Sequence, residues 1–157
     1  MTQENDDQVK ILFKFYSDVL DEWTVETMWA NIVDSDKGLY KLDSIPFYAP
    51  LIATDDIVFA EYDETEQMLT YQKTVEHSGN STVQVVIMDK TVDINNIRDI
   101  FKDFGCISER VNDGYFSMEV HYDTVYKPIK QKLTDLEEQG TIGYAEPCLS
   151  EKHKNET

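Results

Sequence analysis

The sequence is poor in positive charge, in glycine and in cysteine, and it has no long apolar run. Lysine and arginine together number 14 among 157 residues, against 31 aspartates and glutamates, a formal net charge of -17. Proteins that grip nucleic acid draw much of their affinity from neutralising phosphates, so the lack of a basic stripe argues against direct nucleic-acid binding. The same deficit repels anionic lipid headgroups. Six glycines occur, and neither G-x-G-x-x-G nor G-x-x-x-x-G-K is among them. Nucleotide binding through those phosphate-cradling devices is therefore excluded. The two cysteines, Cys106 and Cys148, form no C-x-x-C and have no histidine at ligand spacing, so no zinc site and reduced thiols are expected. No apolar stretch approaches the ~20 residues of a membrane-spanning helix. The start, Met1 to Asp7, is polar and acidic, unlike a secretory signal, and a cytoplasmic location without membrane contact is expected.

Chemistry-bearing motifs are equally sparse. His77, His121 and His153 are scattered, with no H-E-x-x-H. Asp34-x-Asp36-x-Gly38 starts like a calcium loop, but Ile45 stands at the twelfth position, where a glutamate is needed. His77-Ser78 is the nearest thing to a nucleophile beside a base. Neighbouring loop residues usually point apart, and no G-x-S-x-G frame surrounds them. A turn in which Gly79 supplies backbone freedom and Ser81 or Thr82 bonds the backbone is the better reading. No enzyme activity, cofactor or metal is expected.

What the chain does have is apolar bulk and acid. Hydrophobic residues make up 41%, with seven Phe, nine Tyr and two Trp, enough to bury a core. Residues 1–78 carry 17 acids and 5 bases, and residues 79–157 carry 14 acids and 9 bases. The negative field is thus concentrated in the first half. Such a field favours a cationic partner and speeds its approach.

The two halves differ in pattern. In the first, Val9, Ile11, Phe13 and Phe15 alternate with Lys10, Leu12, Lys14 and Tyr16, the period of a half-buried strand. Further strands are read at Thr24 to Val33, Leu39 to Leu42, Ile57 to Tyr62 and Met68 to Val75, with Asp18 to Trp23 open as one helical turn. Residues 1–78 are therefore expected to form an acidic, β-rich subdomain, a small curved sheet or partly open barrel. From residue 79 the order is βαββαβ. A β-prone run at Thr82 to Met88 leads to a helix capped by Asp93, with Ile94, Ile97, Phe101 and Phe104 on one face and Gly105 after its end. A strand from Cys106, the turn Asn112-Asp-Gly114 and a strand from Tyr115 follow. A second helix capped by Thr124 carries Ile129, Leu133 and Leu136, and Thr141 to Cys148 is the last strand. The expected fold is α+β, its second part a ferredoxin-like unit over residues 79–150 with the first and third strands central. Residues 151–157 read as a frayed tail.

Trp23, Trp29, Tyr40, Phe47 and Tyr48 are expected mostly in the core. Any exposed beside acids would make an anchor-plus-charge surface for a basic protein. The expected contact acids are those of the first half's turns and loops: Asp34, Asp36, Asp55, Asp56, Asp63, Glu64 and Glu66.

Several short motifs carry a resemblance. Glu26-Thr-Met-Trp-Ala30, Tyr40-Lys-Leu-Asp-Ser-Ile-Pro-Phe-Tyr-Ala49, Asp56-Ile-Val58, His77-Ser-Gly-Asn-Ser-Thr82 and Gly105-Cys106 together resemble a bacterial domain-of-unknown-function family of about this length. The resemblance spans most of the chain and brings no catalytic residues with it. It implies a small cytosolic bacterial protein, similar in size and acidity to immunity proteins that neutralise toxins. The expected partner is thus a basic protein, a cationic toxin domain such as a nuclease. The alternative is a small-molecule-binding regulatory module.

Overall fold

A computed structural model describes residues 8–18 and 20–157. The acidic start lies outside these residues, and so does Val19 within the stretch left open as a helical turn. The flanking residues Asp18, Leu20 and Asp21 form the turn of a hairpin.

Five strands make the first half: β1 (Gln8–Ser17), β2 (Glu22–Asp34), β3 (Leu39–Leu42), β4 (Ile57–Asp63) and β5 (Met68–Glu76). They follow one another as an antiparallel meander. A parallel pairing of Leu12 with Thr70 joins β1 to β5 and closes the sheet into a barrel. Closure removes the sheet edges that would otherwise be free. Ile11, Phe13, Phe15, Met28, Ala30, Tyr40, Leu42, Val58 and Ala60 point inward. Phe13 stacks on Tyr71 at 4.7 Å. The β2–β3 turn requires glycine at position 38. Its φ is +71°, and a Cβ there would stand 2.8 Å from the Phe59 ring and 2.9 Å from the Ala60 carbonyl oxygen.

The second half contains β6 (Ser81–Ile87), α1 (Ile94–Asp103), β7 (Ile107–Asn112), β8 (Tyr115–Val120), α2 (Lys127–Glu138) and β9 (Ile142–Cys148). Its strands form a four-stranded antiparallel sheet in the order β7-β8-β6-β9. Asp93 caps α1 by accepting the Asn95 N–H. Thr124 does not cap α2: the N-cap is Tyr126, with Pro128 in the first turn. Ile94, Ile97, Phe101, Ile129, Leu133 and Leu136 cover one face of the sheet, packing on Val83, Val85, Phe116, Met118 and Val120.

The other face of that sheet carries hydroxyl, amide and carboxylate side chains, and it is buried. All six residues of β8 are buried, as are Thr82 and Gln84 on β6. The cause is the connection between β3 and β4, residues 43–56, which lies between barrel and sheet. Ala49 and Ile52 plug the barrel core. The backbone N–H groups of Phe47, Tyr48 and Ala49 donate to the Glu26 carboxylate at 2.6, 3.0 and 2.9 Å. The carbonyl oxygens of the same loop accept from the sheet. Ser117 donates to Pro46, Tyr115 and Gln84 to Phe47, and Thr82 to Ile52. Tyr48 stacks flat on Tyr115 at 5.1 Å. The hydroxyl and amide side chains that look like a wet face in sequence are the loop's hydrogen-bond partners.

The tail also departs from expectation. Residues Glu151–Asn155 form a short helix, α3, capped by Ser150, and His153 on it is fully buried. Its Nε2 bonds the Thr124 carbonyl oxygen at 3.0 Å, and its Nδ1 lies 2.6 Å from Ser81 Oγ, which also accepts the Ser150 N–H. This pattern assigns a neutral ring that donates at Nε2 and accepts the Ser81 proton at Nδ1.

Two predictions follow from these contacts. Replacing Glu26 with Ala orphans three loop N–H groups and should cost more than about 2 kcal/mol of unfolding free energy in urea titrations. Burial pushes the His153 pKa down, against smaller opposing contributions from the Thr124 carbonyl and Glu156. The unfolded chain therefore binds a proton more readily than the folded one. The stability that neutral His153 contributes is complete above the unfolded value of about 6.5 and declines as pH falls below it. Hydrogen exchange of the α3 amides should accelerate relative to the rest of the protein between pH 7.5 and pH 5.5. In His153→Gln that local difference should vanish.

Candidate functional site

The alternation of strand directions in the barrel sorts its connections to two ends. The β2–β3 and β4–β5 turns lie at one end. The β1–β2 turn, the long β3–β4 loop and the exit toward β6 lie at the other. Five of the seven acids expected to meet a partner therefore gather at one end: Asp34, Asp36, Asp63, Glu64 and Glu66. Asp55 and Asp56 are at the opposite one.

At the five-acid end, each turn is built by one of its own carboxylates. Asp34 Oδ1 accepts the N–H groups of Asp36 and Lys37 at 3.2 and 3.3 Å. Asp63 Oδ1 accepts those of Thr65 and Glu66 at 2.8 and 3.1 Å. These are side-chain turns of the kind short acids favour. Asp36 and Glu64 are left exposed, and Glu66 pairs with Lys14 at 2.6 Å. Beside the β2–β3 turn lies an open depression of about 420 Å³, lined in part by Asp36, Lys37, Glu61, Tyr40 and Tyr62. Tyr62 is 62% exposed there, a large aromatic beside carboxylates.

Asp56 is a correction. It is 1% exposed and cannot meet a partner. Its carboxylate accepts the Ala53 N–H at 3.0 Å and the Ser78 N–H at 2.8 Å, and His77 Nδ1 lies 3.5 Å away. Asp56 thus ties the β3–β4 loop to the segment leading into β6, since a buried carboxylate must be fully bonded. Asp55 is half-buried at φ +71° and receives a long 3.5 Å contact from Asn80 Nδ2.

The same bonding accounts for His77 and Ser78. The Ser78 hydroxyl donates to the Thr54 carbonyl oxygen at 2.8 Å and accepts the Asn80 N–H at 3.1 Å. His77 is 67% exposed with Nδ1 3.5 Å from Asp56, and the Ser78 hydroxyl has the Thr54 carbonyl and the Asn80 N–H as its partners, not His77. The two residues flank an open depression of about 280 Å³ with Asp55, Glu76 and Tyr122, but they do not form a nucleophile–base pair. Gly79, at φ +91°, provides the turn.

The thiols of Cys106 and Cys148 are free, at the start of one edge strand and the end of the other. Burial pushes each up to about 12, far from a reactive thiolate. No group of three or more His, Cys, Asp or Glu among the described residues has the geometry of a metal centre. No helix among them is long and apolar enough to cross a membrane.

The aromatics divide unexpectedly. Tyr40 is buried, and Phe47 and Tyr48 are half-buried under the sheet, but Trp23 and Trp29 face solvent on the outside of β2, 77% and 48% exposed. Sequence reasoning placed them mostly in the core. The available signal was the strand period: Trp23, Val25, Thr27 and Trp29 share one face, and Met28 and Ala30 take the other.

Fold and site together define a mixed α+β protein with a five-stranded barrel, a four-stranded antiparallel sheet and a barrel half rich in exposed acid. The chain belongs to the family described as domain of unknown function DUF4265, which it matches over residues 26–144. It is similar in structure to a hypothetical protein from Neisseria gonorrhoeae, with a TM-score of 0.79 and 23% identity, covering 94% of this chain and 99% of the other. That likeness concerns the fold. No curated protein matches the sequence significantly.

The two kinds of carboxylate should separate on mutation. Asp56→Ala leaves two N–H groups without their acceptor and should cost about 2 kcal/mol or more. Asp36→Ala and Glu64→Ala should leave the thermal midpoint unmoved in scanning calorimetry.

Proposed function

We propose that the protein works by binding, as an acidic receptor that neutralises a cationic toxin domain in the cytoplasm by direct contact. The observation that carries this reading is the gathering of Asp34, Asp36, Asp63, Glu64 and Glu66 at one end of the barrel, where a depression is lined by Asp36, Glu61 and the exposed Tyr62. Concentrated carboxylates steer a basic protein into encounter, and an exposed aromatic gives it something to bury. A nuclease fits this description, because a domain that grips nucleic acid is itself basic and its cleft is shaped for negative charge. The order and pairing of β6 to β9 support a ferredoxin-like reading of the second half.

The alternative, a small-molecule regulatory module, has less support. One face of the four-stranded sheet carries the helices, and the other is occupied by residues 46–52. Only the sheet edges and shallow surface depressions are left for a ligand.

Co-expression with the product of the adjacent reading frame in the native host tests the proposal. The expected result is a salt-sensitive complex and rescue from that product's toxicity. Asp36→Lys and Glu64→Lys together, which leave the turn-building carboxylates in place, should slow association several-fold at low salt and have little effect at high salt. A neighbour that is neither toxic nor bound, or a complex whose association is indifferent to salt, would remove the reading.

A further inference from the structure

The outer face of the β1–β2 hairpin is covered at Leu12 and open toward its tip, and the two tryptophans on it have different surroundings. On that face Lys10 pairs in register with Trp29, Lys14 with Val25 and Tyr16 with Trp23. Trp29 already holds a cation, with Lys10 Nζ 5.0 Å from its ring centroid. Lys14 is engaged by Glu66 at 2.6 Å. At the tip the arrangement is incomplete. Among the described residues no lysine or arginine stands over Trp23, the most exposed large hydrophobic side chain of the protein. The Tyr16 ring meets it at 84° with centroids 6.1 Å apart, so the two rings form adjacent walls of a corner. Asp18, Asp21 and Glu22 flank that corner and are exposed, and Leu20 adds apolar surface beside them. The Tyr16 hydroxyl donates to the Asp21 carboxylate, which fixes one wall.

We propose that the hairpin tip is an anchor for an arginine of the cationic partner protein, with Trp23 and Tyr16 stacking the guanidinium and Asp21 and Glu22 accepting its hydrogen bonds. Arginine fits better than lysine. Its planar, weakly hydrated fork stacks on aromatic faces and pairs with carboxylates at the same time, whereas an ammonium remains strongly hydrated. The charge of the tip selects against a second copy of this chain, which would bring like charge to like. The inference rests on the reading of the protein as a receptor for a basic protein. It adds a contact at the barrel end opposite the five gathered acids.

The test titrates the 15N-labelled full chain at low ionic strength with an octa-arginine peptide and with an octa-lysine peptide. Amide shifts should concentrate on residues 16–25, tryptophan emission should change, and octa-arginine should bind more tightly than octa-lysine. Trp23→Ala should weaken octa-arginine binding roughly three- to fivefold. Asp21→Asn with Glu22→Gln should reduce the preference for arginine, and Asp36→Asn with Glu64→Gln should leave that preference intact. Binding that ignores Trp23, or shifts spread over the carboxylates of the opposite end, overturns this inference and leaves the wider reading standing. Failure of both peptides to bind removes the wider reading and this one with it. A concentration-dependent dimer in sedimentation that Trp23→Ala dissolves would make a second copy the occupant and also overturn the inference.

Discussion

Everything in this fold depends on how the β3–β4 loop satisfies its backbone. Residues 46–49 and Ile52 run between a barrel and a sheet, largely covered, where unpaired peptide groups are costly, while Pro50 and Leu51 face solvent. The barrel supplies acceptors through Glu26, whose carboxylate takes three successive N–H groups. The sheet supplies donors through Thr82, Gln84, Tyr115 and Ser117. Charge-assisted bonds on one side and hydroxyl donors on the other make the loop a joint. Asp56 repeats the device a few residues on, holding Ala53 and Ser78.

This joint decides where function can lie. By occupying the second face of the four-stranded sheet, it removes the surface on which such a sheet would present a site. The outside and the two ends of the barrel remain, as do the sheet edges and the depressions beside α1. There the carboxylates divide by bonding: Glu26 and Asp56 build the joint, Asp34 and Asp63 shape turns, and Asp36, Glu64, Asp18 and Glu22 face water. The last group can meet a partner without loosening the fold. Net charge by itself does not distinguish these groups.

Much of the architecture was legible in the sequence because it is written in local periods. The alternation in β1, the cap at Asp93, the three- and four-residue spacing in α1 and α2 and the turn at Asn112 to Gly114 all act within a few residues of themselves. Contacts between residues far apart were not legible. Ser117 bonds the Pro46 carbonyl oxygen across 71 positions, and nothing near it in sequence announces that partner. His153 read as part of a frayed tail because its partners, Ser81 and Thr124, lie 72 and 29 residues away. Trp23 and Trp29 belong to a set of aromatics expected mostly in the core, and their register with Tyr16 and Lys10 makes them its exposed members.

The sequence by itself determined the acidity, its bias toward the first half, the order of strands and helices and the exclusion of nucleotide-binding motifs. These follow from composition and short-range stereochemistry, which need no knowledge of what packs against what. Tertiary structure alone decided that Asp56 is internal, that Ser78 is bonded to the backbone and that five acids share one barrel end. Burial and pairing are properties of surfaces brought together, and only the closed barrel and its joint to the sheet bring those surfaces into contact.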